Sequence, residues 1–179
     1  MADDKTFAVG EVLSAADTNE YLVRGYWKRI GRQIIPSGSP VSSVSFTSIE
    51  SRFRSFRVHT NVSGGATVIR LNNDSSGNYA YRLYDMDGTA IITGSSDTGI
   101  NFSRGAGAEL QEVTITKIAS NIRAYVMGVC SSQFVTTSLL GRHGMYMWNN
   151  TSALINRIDV IATSGTFYGA VAVEGMVGV

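Results

Sequence analysis

The residues that could perform nucleophilic or acid–base catalysis in this chain are few. It contains two histidines, His59 and His143, and one cysteine, Cys130. A serine or cysteine nucleophile needs a base beside it, and the Gly-x-Ser-x-Gly motif is absent. We expect His59 on the solvent side of a strand, His143 in an exposed turn and Cys130 buried as a small apolar residue. The sequence therefore predicts no catalytic residue, and an enzyme is the weakest functional hypothesis.

Metal-ligand patterns are equally sparse. No Cys-x-x-Cys or His-x-x-x-His pair occurs. Residues 85–88, Asp-Met-Asp-Gly, imitate the start of a calcium loop, but the twelfth position is Ser96, where such a loop needs a glutamate. Asn72, Asn73 and Asp74 are expected to form a turn capped by their own side chains, with a surface ion site as the alternative. The sequence predicts no metal and no cofactor.

Five aromatic residues are candidates for a ligand platform, because exposed rings on β-sandwich domains can stack on sugars. They are Tyr79, Tyr81, Tyr84, Tyr146 and Trp148. Each position also suits an aromatic side chain buried in a strand. A carbohydrate-binding module therefore stays open as a second hypothesis, which a glycan array without hits and unchanged host adsorption of Trp148→Ala would remove.

The formal net charge of +1 provides no general attraction to nucleic acid or to a membrane surface. Positive charge is concentrated in residues 24–35, which also hold Tyr26, Trp27, Ile30 and Ile34. The segment is short, so we expect it to pack against protein rather than stack on bases. No apolar run approaches the roughly 18 residues of a membrane helix. We expect neither nucleic acid nor a membrane as partner.

The sequence predicts two kinds of element: one short N-terminal helix, and strands from residue 41 onward. Ser14 and Asp17 match a helix-capping pattern, and Gly25 is expected to end or interrupt the helix. A helix of about ten residues is marginal by itself, so its apolar side chains must pack on something. The Pro-Ser-Gly-Ser-Pro run at residues 36–40 reads as a linker.

From residue 41 onward the apolar pattern alternates with a period of two, which is typical of strands. The clearest strands are predicted at residues 113–118 and 122–129, and Gly-, Asn- and Asp-rich turns separate about ten strands in all. This spacing predicts an antiparallel β-sandwich or jelly roll. The predicted organisation is a helical anchor and neck at residues 1–40 and an all-β, jelly-roll-like domain at residues 41–179.

Two parts of the chain resemble structural proteins of tailed-bacteriophage virions. The first is an N-terminal motif of an aromatic, a glycine and a Leu-Ser/Thr-Ala-Ala-Asp-x-Asn run ending in Tyr-Leu. Its positions here are Phe7, Gly10, Leu13, Ser14, Ala15, Ala16, Asp17, Asn19, Tyr21 and Leu22. The match covers about 16 residues, a length close to the predicted helix and its lead-in.

The second resemblance is to small β domains of phage virions. Their Phe-Thr-x-Ile pattern corresponds to Phe46, Thr47 and Ile49, and their Leu-x-Phe-Asn-Gly-Asp strand corresponds to residues 69–74, followed by Asn-Tyr at 78–79. A Trp-x-Asn/Ser-Thr-x-Ala-Ile pattern corresponds to residues 148–154. The family's closing Tyr-Gly-Ile is replaced at residues 173–176 by Val-Glu-Gly-Met, which departs at the tyrosine.

The resemblance implies a virion structural protein: a capsid decoration (cement) protein, a tail component or a fibre component. It implies a homotrimer located in the virion, with major capsid or tail proteins as further partners and no catalysis. The marginal helix is then an anchor that folds against other copies or a neighbouring virion protein. The expected assembly residues are Leu13, Tyr21, Leu22, Tyr26, Trp27, Ile30 and Ile34. The alternative is a fibre-tip module that binds a host-surface glycan.

Overall fold

A computed structural model of the chain describes residues 27–86, 91–103, 108–135 and 138–177, with the backbone alone for 132–135 and 138–140. These residues form strands and connections without any helix, and so no helix in these ranges is long and apolar enough to cross a membrane. The predicted N-terminal helix lies outside the described residues. The strands are β1 Lys28–Ile35, β2 Ser43–Phe46, β3 Phe53–Ser63, β4 Thr67–Leu71, β5 Tyr79–Asp85, β6 Ile91–Asp97, β7 Ala108–Thr116, β8 Ala124–Val135, β9 Ser138–Trp148, β10 Ile158–Ala162 and β11 Tyr168–Val177.

The strands form two sheets. The large sheet has eight strands in the order β1-β11-β3-β7-β8-β9-β5-β6, and the small sheet has three in the order β2-β10-β4. Every neighbouring pair is antiparallel. The prediction of an all-β, antiparallel fold is confirmed.

The large sheet has one covered and one uncovered face. Along β7, Gln111 and Val113 are buried, while Glu112 between them is exposed. Neighbouring β8 repeats the alternation, with Val126 buried and Met127 exposed. Since side chains of a strand point alternately to opposite faces, we call the buried side the inner face and the other side the outer face.

Both sheets contribute to a single hydrophobic core on the inner face. The small sheet supplies Val44, Ile69, Leu71, Ile158 and Val160, and the large sheet supplies Val58, Val113, Val126, Val171 and Val173 among others. Because the two sheets share this core, neither can bury its apolar side chains alone.

The structure corrects the position of His143, which we expected in a turn of the sequence Gly-Arg-His-Gly. It lies within β9, where Val129 of β8 and Tyr84 of β5 are its register partners. The glycines nearby serve packing: a Cβ on Gly128, the partner of Gly144, would lie 2.6 Å from the Phe102 ring. The sequence does not distinguish a glycine required for close packing in a strand from a glycine in a turn.

The structure also corrects the boundary at residue 40. Residues 28–35, expected in a neck, form β1 and pair along their length with β11, from Lys28 with Gly175 to Ile35 with Gly169. Ile35 is 4% exposed and belongs to the core. This part of the neck is therefore an edge strand of the β domain, whose partner lies at the far end of the chain.

Candidate functional site

The structure removes three residues from the predicted ligand platform. Tyr79 and Trp148 are fully buried and stack with their ring centroids 6.5 Å apart, and Tyr146 is 3% exposed. The Leu71 amide donates a hydrogen bond to the Tyr79 hydroxyl at 2.9 Å, and burial raises the pKa of that hydroxyl. These rings are core residues, so the prediction that they stack on a ligand is wrong.

The other two platform candidates are partly covered. The Tyr81 ring packs 5.2 Å from that of Tyr146. Tyr84 lies on the outer face, where His143 stacks on it at 5.4 Å and the Arg82 guanidinium lies 5.6 Å from its centroid. Both residues are half-buried, and each ring has a neighbour against it.

The predicted turn at residues 72–74 is confirmed. Asn72 and Asn73 have φ angles of 54° and 56°, and the Ser76 amide donates to the Asp74 carboxylate at 3.0 Å. The same carboxylate accepts the Trp148 indole N–H at 2.7 Å. Burial alone raises the pKa of Asp74, but hydrogen bonds from Ser76, Asn78 and Trp148 outweigh it and lower the pKa to about 2. The turn thus anchors a core tryptophan.

Asn72 has a second role that the sequence did not reveal. Its side-chain Nδ2 donates to the Leu154 carbonyl at 2.8 Å, and its Oδ1 accepts the amides of Asn156 and Arg157 at 2.9 and 3.2 Å. One asparagine therefore holds the segment before β10 against the end of β4. The signal was hidden because the partners lie more than 80 residues away.

The potential catalytic residues are not assembled into a site. His59 is half-exposed and lies 3.9 Å from Glu174, and His143 stacks on Tyr84. Cys130 is buried as predicted, and burial raises the pKa of its thiol to about 12, which disfavours the reactive thiolate. Among the described residues no group of three or more His, Cys, Asp or Glu side chains could hold a metal ion.

Two further groups of polar side chains lie in the core without access to solvent. Glu109 accepts a hydrogen bond from the Thr67 hydroxyl at 2.8 Å, and the Gln111 amide donates to both. Lys117, 1% exposed, donates to the carbonyls of Asn150 and Ile122, and burial lowers its pKa. Their hydrogen bonds connect strands and loops. Because the side chains are enclosed, a substrate could not reach them.

Four of the expected assembly residues, Leu13, Tyr21, Leu22 and Tyr26, lie outside the described residues. Trp27 packs under the Arg57 guanidinium, which is 4.1 Å from its ring centroid, and Ile30 packs against the core. Ile34 alone of the remaining three is strongly exposed. Trp27 and Ile30 therefore cover their own subunit, which is the alternative to an interface role.

The most unusual surface is the outer face. Eleven large apolar side chains in the described ranges are exposed, and nine of them lie on this face or at its margins. They are Ile34, Met86, Ile91, Leu110, Tyr125, Met127, Val129, Met145 and Tyr168. The remaining two, Ile118 and Ile122, lie in the connection between β7 and β8. Of the nine, Tyr125, Met127, Val129 and Met145 are neighbours on β8 and β9, and a cluster of exposed apolar side chains is a mark of an interaction site.

The exposed apolar side chains of the outer face are concentrated on the β8–β9 pair. Met127 and Met145 are register partners, 65% and 51% exposed, and Val129 pairs with His143 in the next row. A shallow groove of about 400 Å³ runs over them, with the backbone of Gly128 and Gly144 as its floor. Its lining is apolar at the centre and polar at the flanks.

Comparison with protein-family models, with curated proteins and with solved structures found no match to this chain.

Proposed function

We propose that this protein is a structural component of a tailed-bacteriophage virion, forming an oligomeric surface appendage such as a capsid decoration protein or a tail or fibre component. Its β domain is a jelly-roll-like sandwich, and residues 1–26 include the anchor to the particle. The oligomer is a homotrimer, as the resemblance implies.

The observation that carries the proposal is the outer face. Methionines 127 and 145, more than half exposed, occupy the middle of a regular sheet with Tyr125 and Val129 beside them. Removing apolar surface from water is favourable by about 25 cal/mol per Å². An assembled state in which this face is covered is therefore more stable than one in which it is exposed. Repeated assembly is the function that supplies such a cover.

The sandwich assignment is supported by the two sheets and their shared core. Strands from the beginning and end of the chain, β1 and β11, are neighbours, and β3 pairs with both β11 and β7. Long connections of this kind are typical of jelly rolls and distinguish them from simple meanders.

The glycan-binding alternative has less support. Three of its five candidate rings are buried, and Tyr84 already has His143 and Arg82 against it. Sugar stacking needs an aromatic face that is free before the ligand arrives, and the three buried rings do not offer one.

Immunogold electron microscopy tests the proposal. Antibodies against the purified chain are applied to density-gradient-purified particles from the culture that produces it. Gold at regular positions on capsid, tail or fibre is expected. If the protein is found only in the soluble fraction and the particles carry no gold, the proposal is wrong.

A further inference from the structure

We infer that copies of this chain assemble through the outer face, with the β7 side of one copy against the β5 side of the next, so that Glu112 of one copy pairs with Arg82 of its neighbour. The inference rests on the proposed oligomeric function and deepens it. The inferred assembly surface is the outer face of the large sheet, whereas the sequence predicted one in the N-terminal part of the chain.

The first argument is the anatomy of the face. Its centre consists of Met127, Met145 and Val129, and its flanks carry polar and charged side chains. An apolar centre with a polar rim is the usual arrangement of a protein–protein interface. Methionine is well suited to such a centre, because its flexible side chain adapts to an opposing surface.

The second argument is the placement of the exposed charges. Glu112 lies on β7 and Arg82 on β5, on opposite sides of the β8–β9 pair, and both are exposed. Three strand spacings separate them, about 14 Å, which exceeds both contact distance and the roughly 10 Å screening length at 0.1 M salt. They cannot pair within one subunit.

Other charged groups near this part of the face also contact neighbours within the subunit. The Arg57 guanidinium lies on Trp27, and His59 lies 3.9 Å from Glu174. His143 stacks on Tyr84 beside Arg82. Glu112, with His59 as its register partner on β3, forms an acidic flank of the apolar centre. Arg82, whose guanidinium lies 5.6 Å from the Tyr84 centroid, forms a basic flank on the other side.

Symmetry brings these flanks together. When identical subunits close around an axis parallel to the strands, the β7 flank of each copy meets the β5 flank of the next. This holds for a dimer and for a trimer. Opposite charges on the two flanks then attract at every contact, while the methionines of adjacent copies meet between them. A second copy of this chain is thus the partner that the face fits, because one surface supplies both complementary halves.

The experiment is analytical ultracentrifugation of the full chain, as wild type and as the double variant Met127→Glu/Met145→Glu. The wild type is expected to sediment as an oligomer and the double variant as a monomer, with its dissociation constant raised about 30-fold or more. Ile118→Glu is the matched control, since Ile118 is also 65% exposed but lies beyond the end of β7. It is expected to remain oligomeric.

A folded double variant with the wild-type mass would overturn the inference, and circular dichroism establishes that it is folded. Because the replaced methionines are mostly exposed in the subunit, folding itself should tolerate glutamate there. A variant that fails to fold is replaced by Met127→Gln/Met145→Gln, for which the same dissociation is expected.

The charge pair has its own test. Glu112→Arg and Arg82→Glu are each expected to weaken assembly about tenfold, and the combined swap to restore most of it. Restoration indicates contact between subunits, since the side chains are too far apart within one. Failure to restore would overturn the Glu112–Arg82 pairing.

The outcomes separate the inference from the proposed function. If the oligomer persists in the methionine variants and gold labels the particles, the inference is wrong and the virion role stands. If the wild type is a monomer, the inference is also wrong, and the labelling decides the virion role independently.

Discussion

Asp74 shows how a single surface residue can connect a turn to the core. Its carboxylate accepts hydrogen bonds from Ser76, Asn78 and the buried Trp148. These bonds favour the ionised form, and they exceed the opposing effect of burial on the pKa. Because of this low pKa, the free energy of unfolding depends on pH in the acidic range.

We predict that Asp74→Asn flattens this dependence. The pKa of Asp74 in the folded protein, about 2, lies below its ordinary value of 3.8. The ionised carboxylate therefore stabilises the fold fully above pH 3.8, and this contribution is lost as the pH falls towards 2. Urea unfolding midpoints measured across that range should fall more steeply for the wild type than for Asp74→Asn. Parallel curves would contradict the prediction.

At Gly169 of β11, the backbone of the neighbouring strand β3 leaves no room for a side chain. The φ of Gly169 is +125°, and an added Cβ would lie 2.2 Å from the Asn61 carbonyl oxygen and 2.9 Å from the Val62 Cα. Both contacts are with the backbone of β3, which cannot turn aside as a side chain can. The β11–β3 pairing therefore requires glycine here.

We predict that Gly169→Ala destabilises the protein by about 2 kcal/mol or more, because it must part the two strands or distort them. Gly38→Ala is the control, since no atom lies within 4 Å of the added Cβ. It should change the free energy of unfolding by less than about 0.5 kcal/mol. Equal losses in chemical denaturation would show that the strand contact is not the cause.

The edge strand β1 yields a prediction about truncation. Deleting residues 1–35 removes β1 and the buried Ile35 and leaves β11 as an uncovered edge. We expect that protein to aggregate or to lose several kcal/mol of stability. Deleting residues 1–26 leaves every described strand in place and should preserve the unfolding midpoint. The prediction fails if the two truncated proteins are equally stable in thermal and urea denaturation.

For the molecule as a whole, assembly through the outer face links stability to concentration. A subunit that associates only when folded is stabilised by mass action. We predict that the thermal unfolding midpoint of the wild type rises with protein concentration, whereas that of Met127→Glu/Met145→Glu does not. Differential scanning calorimetry at several concentrations measures this. A wild-type midpoint that is independent of concentration would contradict it.

The amino-acid sequence by itself determined the features that depend on local pattern. The alternation of apolar residues predicted an all-β protein, the Asn-Asn-Asp run predicted the turn at residues 72–74, and the strand context predicted that Cys130 is buried. These predictions succeeded because side-chain alternation and positive φ angles are properties of a few consecutive residues.

The tertiary structure alone decided which strands meet and which face is covered. It placed β1 beside β11, buried Tyr79, Tyr146 and Trp148, and left Met127 and Met145 in solvent. An alternating strand has two faces that its sequence distinguishes only by polarity, and in β9 the exposed Met145 and the buried Tyr146 are both apolar. The choice depends on pairing between residues far apart in the chain, which no local pattern records.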